Sequence, residues 1–150
     1  MKQVTQTEFD TLVYSDDFEN AACVIAKCCR PIPAMRIVGV VTKRRIISVH
    51  SNDCRQALKL KDRWEKVNWK EQYNKALKVI VEANERSGLL ADILHTIANA
   101  RFEVREAKAK LINNNCSECS FVIIPQSLSR VIELIERVMK VKGVKKVYFD

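Results

Sequence analysis

With three glycines and two histidines in 150 residues, the sequence offers little from which to build a catalytic pocket. It has no Gly-rich phosphate loop of the P-loop or Rossmann kind, and neither His50 nor His95 has a nucleophile and carboxylate set around it. His95 lies beside a helical apolar stripe and reads as a surface residue. The carboxylates form no paired acid and base, so a non-enzymatic role is expected. No apolar run approaches the roughly 20 residues that span a bilayer. Residues 1–20 lack the basic start, apolar middle and cleavage site of a secretory signal, so a cytoplasmic location with reduced thiols is expected. Disulfides are then the weaker reading of the six cysteines.

What is present is a globular composition, 47% hydrophobic and 29% charged, with room for one ordinary domain or two small ones. The net charge of +8 is uneven: residues 1–20 carry −4, residues 21–75 carry +9 (13 basic against 4 acidic side chains) and residues 76–150 carry +3. A basic block of this kind favours a polyanion such as RNA as partner, or it is only a solvated surface. Lys43, Arg44 and Arg45, with Arg30 and Arg36 near them in sequence, are the candidate polyanion-binding face, because the first three fall at a hairpin tip.

The hairpin follows from patterning. Pro31-Ile32-Pro33 fixes two φ angles and removes two donors, so it is an extended connector. Ile37–Val41 and Ile46–Val49 are β-branched runs flanking Thr42–Arg45. Ser51, Asn52 or Asp53 then caps a short helix reaching about Leu60, and Trp64–Trp69 reads as a closing strand or linker. Beyond a boundary near residues 71–75 the chain reads strand from Leu77 to Asn84, helix from Leu89 to Ala98, and strands Phe102–Ile112 and Cys119–Ile124 around an Asn-rich turn. A second helix from Leu128, capped by Ser127, and a strand from Val144 to Phe149 complete βαββαβ, with a bulge expected near Glu106-Ala107. That order predicts an antiparallel ferredoxin-like sheet with both helices on one face.

Cys28-Cys29 followed by His50 and Cys54 supplies four soft or borderline ligands, the number and type that a structural zinc prefers. Ordinary buried cysteines are the bland alternative, and Cys23 could replace Cys28 or Cys29. Cys116-Ser117-Glu118-Cys119 is a C-x-x-C on a predicted hairpin rather than at a helix start, and reads as structural. A thiol redox or metal-transfer role is the weakest of the functional readings.

Residues 26–33, Ala-Lys-Cys-Cys-Arg-Pro-Ile-Pro, followed by Ile37-Val38-Gly39, Thr42, Ser48-Val49-His50 and Asp53-Cys54, resemble the conserved-cysteine zinc-finger module of the RelA/SpoT stringent-response proteins. Arg63-Trp64 and Val67-Asn68-Trp69 resemble that family's linking segment, and residues 81–93 resemble the opening of its ACT domain. The resemblance implies an α+β chain made of an N-terminal extension (1–20), a small zinc-binding α/β module (21–70) and a ferredoxin-like βαββαβ ACT domain (71–150). It implies Zn2+ on Cys28, Cys29, His50 and Cys54, and docking on ribosomal RNA or regulation of (p)ppGpp metabolism. It also implies an amino-acid effector and a homodimer formed through the ACT domain. The effector site is expected at Asn84, Glu85, Ser87, Gly88, Leu89 and Leu90, where Gly88 permits close approach and a helix start can receive a carboxylate. The family's Gly-Asp after Pro-Ile-Pro is Ala34-Met35 here, and its hairpin glycines are replaced by Arg44 and Ile46. Ser51 stands where the family has Arg, and Glu85 where it has Asp. Nothing in the sequence matches the family's hydrolase, synthetase and TGS regions, so no nucleotide chemistry carries over.

Overall fold

The computed structural model describes residues 12–18, 21–73 and 75–149, and the chain divides into two compact units, one ending at Lys70 and the other beginning at Glu71. Both mix helix with sheet, so the fold is α+β.

The first unit is built on a four-stranded sheet of order β2-β4-β3-β5, from β2 (Ala22–Ile25), β3 (Ile37–Val41), β4 (Ile46–Ser51) and β5 (Trp64–Glu65). β3 and β4 are the hairpin that the β-branched runs predicted. β2 lies parallel to β4, with Ala22 opposite Ile46 and Ile25 opposite Val49, a pairing with no local sequence signal. The Ala26 N–H continues this ladder by donating to the Val49 carbonyl. One short helix, α1 (Arg55–Leu58), covers a face of the sheet: Ala57 packs on Val38 and Val40, and the Trp64 indole N–H donates to the Ala57 carbonyl at 2.7 Å. Its N-cap is Cys54, not Ser51, Asn52 or Asp53. The Ser51 hydroxyl donates instead to the Asp53 carboxylate.

β6 (Val67–Trp69) pairs with β1 (Val13–Ser15), so residues 13–15, expected in an N-terminal extension, belong to this unit. Of that expected extension, residues 1–11, 19 and 20 lie outside the described residues. Gly39 makes room for β6. A Cβ there would stand 2.6 Å from Ile47 Cγ2 and 2.8 Å from Val67 Cγ1.

Two turns explain what the departures in sequence do. The Met35 N–H donates to the Ile32 carbonyl, closing a turn with Pro33 second and Ala34 third, and Ala34 has φ 86°. Such a turn calls for glycine at its third residue. In the β3–β4 hairpin the position in the left-handed region is Arg45, at φ 59°, between the two residues that replace the family's glycines. The fold is retained with ordinary side chains in conformations that disfavour them.

The second unit follows βαββαβ closely: β8 (Leu77–Asn84), α2 (Leu89–Asn99), β9 (Glu103–Asn113), β10 (Cys116–Ile124), α3 (Leu128–Met139) and β12 (Val144–Phe149). The sheet is antiparallel with order β12-β8-β10-β9. Val79, Val81, Ala83, Cys119, Phe121, Ile123 and Val147 are buried on one face, against Leu89, Ile93 and Ile97 of α2 and Val131, Leu134 and Val138 of α3. The Ser127 hydroxyl caps α3 by accepting from the Arg130 N–H. The register slips between Val122 and Ile123 opposite Glu106 and Val104, which puts the bulge at Arg105. A small pair, β7 (Gln72–Tyr73) with β11 (Gln126–Ser127), had no period-2 pattern long enough to predict it.

Both tryptophans lie in the first unit, so indole fluorescence reports its unfolding. Ala34→Gly should stabilise that unit by about 1 kcal/mol by relieving the left-handed alanine. Gly39→Ala should destabilise it by about 1–3 kcal/mol through overpacking. Equal melting midpoints for the two variants and the wild type would contradict both assignments.

Candidate metal centre and ligand cavity

The parallel pairing of β2 with β4 brings the C-terminal ends of the two strands side by side. Cys28 and Cys29 follow β2 in a turn closed by the Arg30 N–H donating to the Ala26 carbonyl, with Arg30 at φ 41°. His50 is the fifth residue of β4, and Cys54 stands at the start of α1. The four donor atoms converge, all within 4.8 Å of one another. Cys28 Sγ lies 3.3 Å from His50 Nδ1, 3.7 Å from Cys54 Sγ and 4.0 Å from Cys29 Sγ. Cys29 Sγ lies 3.7 Å from His50 Nδ1. A tetrahedral centre with metal–sulfur bonds of about 2.3 Å and a metal–nitrogen bond of about 2.0 Å has sulfur–sulfur edges of about 3.8 Å and sulfur–nitrogen edges of about 3.5 Å. The donor set fits such a centre. Cys23 stays buried in β2 and takes no part in it.

The surroundings are arranged for charged sulfur. The Ser51 N–H donates to Cys29 Sγ at 3.3 Å. Burial pushes the Cys54 thiol up, but the N–H groups of Ala57 and Gln56 at the start of α1, with the two neighbouring thiols, outweigh it and hold it below its ordinary value. Burial pushes Cys29 up to about 12 and raises Cys28, so without a cation these two remain thiols. Burial lowers His50, which keeps the imidazole neutral and able to ligate at neutral pH. A divalent cation reverses the balance at the thiols by stabilising the thiolate form.

The expected polyanion face is not a single patch. Arg36 is exposed at the start of β3 and Arg30 is half-buried beside the cysteines. Lys43, Arg44 and Arg45 are exposed at the other end of the β3–β4 ladder, about 17 Å away at strand rise. The sequence placed them together only along the chain.

In the second unit a cavity of about 240 Å³ opens at the β8–α2 turn. Of the residues expected there, Glu85, Gly88, Leu89 and Leu90 line it, whereas Asn84 and Ser87 do not. Its walls also include Arg86, Ala109, Ser117 and Cys119, which sequence reasoning missed. The period-2 alternation of β10 could have found Ser117 and Cys119, since it turns both toward the helices. The Ser117 hydroxyl donates to the Glu85 carboxylate. Arg86 is engaged by Asp92 at 2.7 Å and by the Lys142 carbonyl. Leu89 is almost wholly buried, so it serves the core as well as the wall.

Cys116 and Cys119 stand on opposite faces of β10, Cys119 buried and Cys116 half-exposed, so this C-x-x-C is not a thiol pair. Burial, followed by the Glu85 and Glu118 carboxylates, raises the Cys119 thiol. Among the described residues no helix is long and apolar enough to cross a membrane.

Residues 13–70 match the family described as the RelA/SpoT RIS domain. The GTP pyrophosphokinase of Escherichia coli (strain K12) is 43% identical over 86 residues, covering 53% of this chain and 12% of that protein. The GTP pyrophosphokinase of Photobacterium angustum is 32% identical over 146 residues, covering 91% of this chain and 20% of that protein. The chain thus spans a fifth or less of the length of these relatives. The crystal structure of the ACT domain from the GTP pyrophosphokinase of Chlorobium tepidum covers 51% of this chain and 99% of its own, at 16% identity and a TM-score of 0.46.

Proposed function

We propose that this chain, a C-terminal regulatory region of the RelA/SpoT family, is a non-catalytic binding module of the stringent response whose first unit is held by one zinc ion and docks on ribosomal RNA. The observation that carries this reading is the convergence of Cys28, Cys29, His50 and Cys54 at tetrahedral spacing. Zinc suits three thiolates and an imidazole better than the harder divalent ions do. The first unit is small and strongly basic, with a limited core, so a structural metal compensates for what burial leaves short. Such an ion contributes on the order of 10 kcal/mol to folding. Metal analysis of the native chain should find about one zinc, and His50→Ala or a strong chelator should unfold residues 21–70 while α2, α3 and their sheet persist. Native protein free of zinc would overturn the reading.

The RNA half rests on the +9 charge of residues 21–75 and on the exposed bases at both ends of the β3–β4 ladder. Each phosphate contact removed flattens the slope of log affinity against log salt by roughly 0.7–0.9. A Lys43, Arg44, Arg45 triple alanine should weaken binding to a ribosomal RNA fragment and flatten that slope. Unchanged affinity and slope would reduce these residues to a solvated charge run. In this reading the protein works in the cytoplasm.

A second reading concerns the other unit. The cavity is smaller than the roughly 300–1,000 Å³ of sites for drug-sized ligands, which favours a single amino acid over a nucleotide. Glu85 would receive the ammonium group and the first turn of α2 the carboxylate. β9 is a sheet edge with Leu111 and Ile112 exposed, which favours pairing with a second copy. Calorimetry with a panel of amino acids should give heat that Glu85→Gln removes, and sedimentation should find a dimer at micromolar concentration. Silence from every amino acid would eliminate the sensor, and a monomer at all concentrations the dimer.

A further inference from the structure

His50 reaches the cysteine sulfurs with Nδ1, and its other ring nitrogen is engaged as well: Nε2 lies 3.0 Å from the Ser48 hydroxyl. Ser48 and His50 are two apart on β4 and so stand on the same face of the sheet, opposite Val40 and Val38 on β3. Val49 between them points to the other face and is fully buried, which fixes the strand's rotation and with it the pair. The pair sits under the α1 side of the sheet, where Ala57, Cys54 and Trp64 pack against Val38 and Val40. A hydroxyl held there by a central strand has little freedom to leave the ring.

An imidazole that ligates a metal through Nδ1 must carry its proton on Nε2, and a partner that accepts that proton fixes both tautomer and ring orientation. The other tautomer would aim an N–H at Cys28 and Cys29 and leave no lone pair for the cation. We infer that Ser48 is a positioning residue of the metal centre: its hydroxyl accepts from Nε2–H and thereby commits His50 to ligation through Nδ1. This inference rests on the zinc reading above. It adds that the centre extends beyond its four ligands to a serine that nothing in the Cys/His spacing announces.

The test uses the full zinc-loaded chain. In a His95→Gln background His50 is the single histidine, so ¹⁵N-resolved spectra of its ring report which nitrogen holds the metal. Metal on Nδ1 and a proton on Nε2 are expected. Competition with a chromophoric chelator should then find Ser48→Ala weaker for zinc by about 10- to 100-fold, the usual effect of losing an outer-shell partner. Ser48→Thr, which keeps the hydroxyl, should restore wild-type affinity. Zinc on Nε2, or wild-type affinity in Ser48→Ala, would overturn the assignment. If Ser48→Ala fails to fold, the wild-type spectra still decide the ligating nitrogen. A wild-type chain that binds no zinc would instead remove the underlying reading, and this one with it.

Discussion

The first unit depends on one strand pairing. Because β2 runs parallel to β4, the turn after Ile25 and the end of β4 at Ser51 emerge at the same edge of the sheet, and two cysteines meet a histidine 21 and 22 residues away. An antiparallel pairing of the same strands would send the cysteine turn to the hairpin tip among Lys43, Arg44 and Arg45. The pairing in turn needs a connection long enough to cross back, which the Pro31–Pro33 connector and β3 supply. α1 then brings the last donor, Cys54, over the sheet face that already holds His50. Strand direction, more than any single contact, gathers four scattered donors into one candidate metal site.

Much of this was legible beforehand, for identifiable reasons. Ile37–Val41 and Ile46–Ser51 declare themselves by β-branching, and Leu89–Asn99 and Leu128–Met139 by helical spacing. The four candidate donors that converge could be named because soft donors are chemically conspicuous and few other residues compete for the role. What escaped notice was non-local or chemically quiet. The parallel partner of β4 is a four-residue strand with one fully buried side chain, Cys23, and no alternation to betray it. Ser48 looks like any strand serine until the ring beside it is in place. The basic residues misled in the opposite way, since closeness along a hairpin is not closeness in space when the strands between are extended.

The second unit illustrates the same limit from the other side. Its order and alternation were readable nearly to the residue, yet the cavity walls were half missed, because Ala109 and Ser117 reach the site from β9 and β10 rather than from the turn that motivates it. Gly88, expected only to permit close approach, stands in the left-handed region just before the helix. Glu85 lies on the cavity wall, where the Ser117 hydroxyl donates to its carboxylate.

β9 carries a consequence for solubility. It is an eleven-residue edge strand, and such edges template cross-β growth when they are flat and apolar. Here Glu103, Arg105, Glu106, Lys108 and Lys110 are all exposed, and the bulge at Arg105 bends the ladder near one end. An incoming strand would have to desolvate that mixed row of charges, so indiscriminate stacking is opposed along most of the length. The tip at Leu111 and Ile112 lacks such charges, but a second register slip falls there, between Cys116 and Ser117 opposite Asn113 and Leu111, so the edge is irregular at both ends.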